Sequence, residues 1–277
     1  MTTAAQPMER LLRTERRGDV LLIRMADSAR RNALSVALVG ELVEALQRSR
    51  LEGVRALVIA SAEKAFCAGA DIRDMLDSGW LDAQAGPDAG LTPPDLFEAI
   101  TSDARPIIAA VDGLALGGGV ELCLACDLVI AGERASFMFP ELALGVLPNT
   151  ALAMLPDAIG ARAAADLILT RRRIDAAEAQ RLGLVNELAS GADPVERAIA
   201  MATDIVSRVP PTAFAAAKRI LHTRLDWASI RSTLSQMEPQ EWREGTTAFI
   251  QKRSPDYQSF WEGKGLRTTR ADDGGER

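Results

Sequence analysis

The sequence predicts an α/β fold followed by a helical C-terminal region. Two patterns carry that expectation. Between Met8 and Ala131, short apolar runs alternate with segments of helical periodicity, and from Thr150 onward the pattern is mostly helical. A length of 277 residues accommodates one large domain or two small ones. With 48% apolar and 25% charged residues, the composition is that of a soluble globular chain, not a disordered or fibrous one.

The elements follow in order. Val20 to Met25 is an apolar run after Gly18-Asp19 and reads as a strand. Ser35 to Arg50 has helical spacing, with Leu38, Leu42, Ala45 and Leu46 on one face and Ser35 as N-cap. Arg55 to Ala60 reads as a buried strand, and Asp71 to Leu76 as a short helix capped by Asp71. The stretch from Asp77 to Pro94 holds Gly79, Gly86, Pro87, Gly90, Pro93 and Pro94 and reads as a long mobile loop of the kind that often forms lids. Pro106 to Val111 is another buried strand. Gly117-Gly118-Gly119 opens a helix running to about Cys126, Asp127 to Ala131 is a strand, and Ser136 to Phe139 is a further strand. Leu182 to Leu188 reads as a turn and short strand, and Pro194 to Ile250 as alanine-rich helix. No repeat of fixed period is present.

Composition excludes several classes of function. Lys plus Arg number 32 against 38 Asp plus Glu, a net charge of −6, which argues against nucleic acid as a partner. No apolar run reaches the roughly 18 residues of a membrane helix, so no membrane partner is expected. Met1 to Asp19 contains Arg10, Arg13, Arg16 and Arg17, but Glu9, Glu15 and Asp19 interrupt them, unlike an export or transit segment. Three cysteines make no disulfide framework, which points to a reducing, cytoplasmic setting.

The single histidine, His222, rules out His-His metal sites and HExxH. A Ser-His-Asp triad would have to use His222, which reads as an exposed helix end, and no GxSxG elbow accompanies it. Cys123-x-x-Cys126 lacks a second pair and reads as two small buried residues. Neither a metal nor a redox cofactor is expected.

Three stretches carry chemistry: Ala65 to Asp71, Asp112 to Leu122, and Phe137 to Gly145. Gly117-Gly118-Gly119 matches neither a P-loop nor GxGxxG. Its place between a strand and a helix suits backbone N–H groups aimed at an anion, though close strand-to-helix packing explains it equally well. Glu121 falls in the first turn of the helix. There it complements the helix dipole, or it moves a proton on a small molecule whose oxyanion an N–H group stabilises. Glu141 follows Pro140 among Phe137, Phe139 and Leu142, and reads either as a surface turn or as a second proton-transfer carboxyl.

Phe66-Cys-Ala-Gly-Ala-Asp-Ile72, Leu116-Gly-Gly-Gly-Val-Glu121 and Pro140-Glu141 together resemble the crotonase (enoyl-CoA hydratase/isomerase) superfamily. Arg31-Asn-Ala-Leu34, the Gly160 to Val185 region and Glu244 to Arg253 resemble further motifs of that family, so the likeness covers most of the chain. It implies a spiral of ββα units over residues 1–200. A C-terminal helical region over 201–277 would serve trimerisation, often into hexamers, and cover the active site. It implies an acyl-CoA thioester as substrate, with no cofactor beyond the coenzyme A of the substrate itself.

The resemblance also implies roles. The backbone N–H groups of Ala70 and Gly118 would form an oxyanion hole. Glu141 would deliver a proton at the α-carbon while Glu121 holds and helps activate water at the β-carbon, which favours an enoyl-CoA hydratase. Backbone around Ala68, Gly69, Asp71 and Ile72, with Gly117, would meet the substrate and its adenine, and Arg30, Arg31 and Lys252 the phosphates. Asp71 reads as a helix cap and not as a catalyst.

The sequence departs from the family pattern at Pro148-Asn-Thr-Ala-Leu-Ala-Met-Leu-Pro156, where a glycine-rich segment is usual. Asn149 and Thr150 are expected to cap the helix that starts there, with Leu152 and Met154 reshaping the pocket wall or filling core. This departure keeps open isomerisation, thioester hydrolysis, C–C lysis or a non-catalytic acyl-CoA-binding role, and an RNA-binding member of the fold is disfavoured by charge.

Overall fold

The computed structural model describes residues 10–77, 90–232 and 238–257. The chain winds as a spiral in which each turn lays one strand in a large sheet and one in a small sheet, then a helical segment. Leu12–Arg17 (β1) and Val20–Met25 (β2) form an antiparallel hairpin, and β2 feeds helix α1 (Val36–Leu51). The first full turn is β3 (Ala56–Ser61), β4 (Ala65–Cys67) and α2 (Ile72–Asp77). After α3 (Pro93–Thr101), the second is β5 (Ile107–Val111), β6 (Leu114–Leu116) and α4 (Gly118–Ala125). The third is β7 (Leu128–Ala131), β8 (Ser136–Met138) and a 3₁₀ turn over Glu141–Leu144.

The rest is mainly helix: α5 (Asn149–Ile159), α6 (Ala161–Thr170), α7 (Ala176–Leu182), α8 (Pro194–Arg208), α9 (Pro211–Leu221), α10 (Trp227–Ser232) and α11 (Pro239–Ile250). Two-residue strands β9 (Ile174–Asp175) and β10 (Glu187–Leu188) close the two sheets, whose orders are β1-β2-β3-β5-β7-β10 and β4-β6-β8-β9. From β2 to β10 the large sheet is parallel, and β4, β6 and β8 are parallel in the small one.

Parallel strands need both faces covered. Ile23, Leu57, Ile59, Ile107, Ala109 and Val129 point inward to the main core with Leu38, Leu42 and Leu46 of α1. On the other face Val20, Leu22, Val58, Ile108 and Ile130 pack against Val195, Ala198 and Ala202 of α8. Residue 200 therefore lies inside a helix that covers the sheet.

Helix boundaries bear out most of the element readings. Ser35 caps α1, its hydroxyl accepting from the Leu38 N–H at 3.1 Å. Asp71 caps α2, its Oδ1 accepting from the N–H groups of Arg73 at 3.0 Å and Asp74 at 3.2 Å. The expected loop to Pro94 is corrected at its end. Pro93 and Pro94 occupy the first turn of α3, where a missing N–H costs nothing, and the Asp95 carboxylate accepts from the Thr92 N–H at 2.8 Å. Residues 78–89 of that expected loop lie outside the described residues.

Candidate active site

The spiral places three equivalent points side by side. Ala70 precedes α2, Gly118 opens α4, and Glu141 opens the 3₁₀ turn, each just beyond one of the three parallel strands of the small sheet. Local bonds fix the first point. The Leu34 N–H donates to the Gly69 carbonyl at 2.7 Å, and the Asp71 N–H to the Leu34 carbonyl at 3.3 Å. Asn32 is fully buried, and its amide donates to the carbonyls of Phe66 at 3.1 Å and Ala65 at 3.3 Å, pinning β4.

Glycine permits the approach of the second point. A Cβ on Gly118 would lie 3.2 Å from the Ala70 nitrogen, and one on Gly69 would lie 2.8 Å from the Leu116 carbonyl oxygen. The two backbones thus meet without side chains between them. Among the described residues, neither the Ala70 nor the Gly118 N–H donates to an acceptor. Paired, rigid N–H donors at a helix start can stabilise a developing oxyanion.

Two carboxyls converge on the same turn. Glu121 is 8% exposed, and its Oε1 accepts the Ala151 N–H at 2.9 Å, with the Thr150 N–H also donating to the carboxyl. The Glu141 carboxyl lies against Gly117, where a Cβ would come 2.0 Å from its Oε1. The buried Glu141 Oε2 has no hydrogen-bond partner among the described residues. Burial pushes the Glu121 carboxyl up to about 7, against the helix N–H groups that pull it down. Burial, reinforced by the charge of Glu121, pushes Glu141 higher, to about 8. Two carboxyls whose proton affinities are raised toward neutral pH by burial are equipped to exchange protons with a bound molecule.

The expected caps of α5 are corrected. Asn149 and Thr150 are its first helical residues, not its caps, and the Glu121 carboxyl takes the cap position by accepting the free N–H groups. Asn149 Oδ1 and Thr150 Oγ1 are buried without a hydrogen-bond partner among the described residues. Leu152 is 41% exposed and fills no core, whereas Ala151 and Leu155 do.

The expected phosphate-side residues are only partly brought together. The Ala68 N–H donates to the Arg31 carbonyl at 3.1 Å, and half-exposed Arg30 reaches Asp71 Oδ2 at 3.3 Å. Ile72 starts α2 beside them. Lys252 is exposed and stands beyond the C-terminal helix, not on it. Its φ of 54° breaks the helix, and its N–H closes the end on Phe249 at 3.1 Å.

His222 is corrected from an exposed helix end to a half-buried cap of α9. Its Nε2 stands 4.0 Å from Asp127 Oδ1, in a cavity of about 390 Å³ that it shares with the buried Lys218. Cys123 and Cys126 are free and buried as expected, Cys67 is free and buried too, and burial raises all three thiols well out of the reactive range, Cys67 to about 12.

Sequence reading missed the support of Glu141 from the C-terminal segment. The Tyr257 hydroxyl donates to the Ala143 carbonyl at 2.8 Å, and Gly245 of α11 lets that helix close on Leu144, whose oxygen a Cβ would meet at 2.3 Å. Only a tertiary contact carries this signal, because Gly245 stands about a hundred residues away along the chain.

Comparison with known proteins agrees with this geometry. Residues 15–260 match the family model described as enoyl-CoA hydratase/isomerase. A "Probable enoyl-CoA hydratase" of Rhizobium meliloti is 37% identical over 255 residues, covering 89% of this chain and 97% of that protein. The 2,3-dehydroadipyl-CoA hydratase of Escherichia coli is 34% identical over 86% of this chain and 94% of its own length. The crystal structure of carnitinyl-CoA hydratase from Mycobacterium avium superposes with a TM-score of 0.77 at 32% identity, covering 91% of this chain and all of that one.

Proposed function

The chain belongs to the enoyl-CoA hydratase/isomerase family, and on that premise we propose that it adds water across the double bond of a trans-2-enoyl-CoA thioester. The observation that carries this reading is the pair of buried carboxyls, Glu121 and Glu141, gathered at one turn beside the apposed backbones of Ala70 and Gly118.

The thioester oxygen sits between the N–H groups of Ala70 and Gly118. These donors are neutral and fixed, and they act on the charge that appears only as the enolate forms; losing one such donor costs about 2.7–4 kcal/mol of barrier. Ionised Glu121 orients a water at the β-carbon and takes its proton as the C–O bond forms. The alkene electron pair moves to the thioester oxygen. Protonated Glu141 then gives its proton to the α-carbon as the enolate collapses. Transfer of a proton from Glu121 to Glu141 restores the starting state. Burial raises the proton affinity of both carboxyls, which lets one hold a proton while the other is ionised near neutral pH. Both carboxyls act from one side, so the addition is syn.

Arg30, Arg31 and Lys252 are assigned to the phosphates of coenzyme A, and the backbone from Ala68 to Ile72 to its adenine. The working assembly is a homotrimer or homohexamer, with exposed Ile220, Leu221, Phe249 and Ile250 available to neighbouring copies. Three buried free thiols fit a reducing, cytoplasmic setting. No helix among the described residues is long and apolar enough to cross a membrane.

The test is a series of trans-2-enoyl-CoAs followed by loss of the conjugated enoyl-thioester absorbance, with the 3-hydroxyacyl product identified by mass. Hydration of at least one member supports the reading. Conversion to a shifted double bond or to free coenzyme A, with no hydrated product, refutes it.

A further inference from the structure

At the start of α5 the protein buries two polar side chains and satisfies neither. Asn149 is 8% exposed and Thr150 1%, yet Asn149 Oδ1 and Thr150 Oγ1 have no hydrogen-bond partner among the described residues. Buried polar groups are nearly always paired, so two adjacent orphans call for an explanation in ligand chemistry. Both belong to the turn whose N–H groups hold the Glu121 carboxyl. In the hydratase reading that carboxyl marks the β-carbon, so acyl atoms beyond the β-carbon run along this turn.

We propose that Asn149 and Thr150 form a hydrogen-bonding wall selecting enoyl thioesters that carry a neutral hydroxyl on the acyl chain beyond the reacting double bond. The proposal rests on the hydratase reading for the direction of the acyl chain. The chemistry of the wall narrows the substituent. Asn149 Oδ1 is an acceptor and needs a donor. Thr150 Oγ1 both donates and accepts. A hydroxyl can donate to Asn149 Oδ1 and can donate to or accept from Thr150 Oγ1; a methyl can do neither. A carboxylate has no hydrogen to give Asn149 Oδ1 and would stand beside Glu121 and Glu141, two carboxyls already crowded enough that the charge of one raises the proton affinity of the other. The substituent therefore carries a donor and no charge. A site built to bond a substrate hydroxyl discriminates strongly against the analogue without it, because the protein groups are then left unpaired.

The test reads binding without turnover. The probes are analogues of coenzyme A thioesters in which nitrogen replaces the thioester sulfur and no double bond is present: the butyryl, 4-hydroxybutyryl and succinyl amides. Isothermal titration of the full chain is expected to show the hydroxyl analogue binding about tenfold more tightly than the butyryl one, and the succinyl analogue most weakly. In Asn149→Leu and Thr150→Val the ratio of hydroxyl to butyryl affinity falls toward one. Thr150→Val keeps the shape of the side chain, so it tests the hydroxyl even if Asn149→Leu fails to fold. Equal binding of the butyryl and hydroxyl analogues, tightest binding of the succinyl analogue, or a preference unchanged in Thr150→Val overturns the proposal. Because these probes cannot be hydrated, failure here is distinct from failure of the hydratase reading, which would show as no hydrated product from any enoyl-CoA.

Discussion

Gly117→Ala tests the link between backbone geometry and catalysis most sharply. Gly117 has φ 47° and ψ −115°, and a Cβ there would sit 2.0 Å from Glu141 Oε1 and 2.9 Å from its Cδ. An ordinary contact begins at 3.4 Å, so the carboxyl must retreat by roughly 1.4 Å, and misplacement on this scale costs about 100-fold in rate. The backbone also bears a strain of about 1–3 kcal/mol for a non-glycine residue at this φ and ψ. The assay is turnover of crotonyl-CoA together with thermal unfolding. We expect kcat to fall by about 100-fold or more while the chain still folds, with Tm lowered by about 2–4 °C for each kcal/mol. Gly40→Ala is the matched control. Gly40 lies inside α1 with nothing from outside its own helix turn within 4 Å of its Cβ position among the described residues, so alanine should stabilise the chain by about 0.5–1 kcal/mol without changing turnover. Gly117→Ala turning over crotonyl-CoA as the wild type does would refute the placement of Glu141.

Two further predictions concern stability. Glu121 and Glu141 bind protons more tightly folded than unfolded, because burial raises both. Their contribution is therefore fully present below the ordinary value of 4.5 and lost as pH rises through about 7 and about 8. Tm measured from pH 5 to 9 should fall over that window, and the fall should be shallower in Glu141→Gln; an identical slope in the variant would contradict the burial of Glu141 as a titrating group. Thr150→Val removes an unsatisfied buried hydroxyl while keeping the side-chain shape, so the unliganded protein should gain about 1 kcal/mol, read as a Tm higher by a few degrees. A lower Tm would mean that the hydroxyl is satisfied in the folded chain.

Much of this fold was legible because parallel strands are buried on both faces and appear as mostly apolar runs. Val20 to Met25, Arg55 to Ala60 and Pro106 to Val111 all declare themselves in that way. β1 does not, since its sequence Leu-Arg-Thr-Glu-Arg-Arg is an exposed edge whose pairing comes from the hairpin with β2. β4 and β6 are three residues each, too short for any periodicity, yet they carry the site. α3 was hidden because two prolines suggest a loop until their place in the first helical turn is seen.

At the site, Glu121, Glu141, Ala70 and Gly118 stood out because glycines and acids at strand ends are chemically conspicuous. Their mutual contacts were not legible: that Gly117 touches the Glu141 carboxyl, or that Glu121 displaces Asn149 and Thr150 as cap of α5, depends on side chains from separate turns of the spiral. His222 was misread for the same kind of reason, since its burial comes from a neighbour at β7's edge.

The measurement that bears most directly on the account is hydration of crotonyl-CoA by the wild type and Glu141→Gln side by side, with the product identified by its added mass of water. The account predicts 3-hydroxybutyryl-CoA from the wild type. It predicts a rate at least about 100-fold lower from the variant, within the range that a general acid or base contributes. Wild-type turnover by Glu141→Gln would contradict the assignment of Glu141 as the proton donor, and no hydrated product from the wild type would contradict the reaction itself.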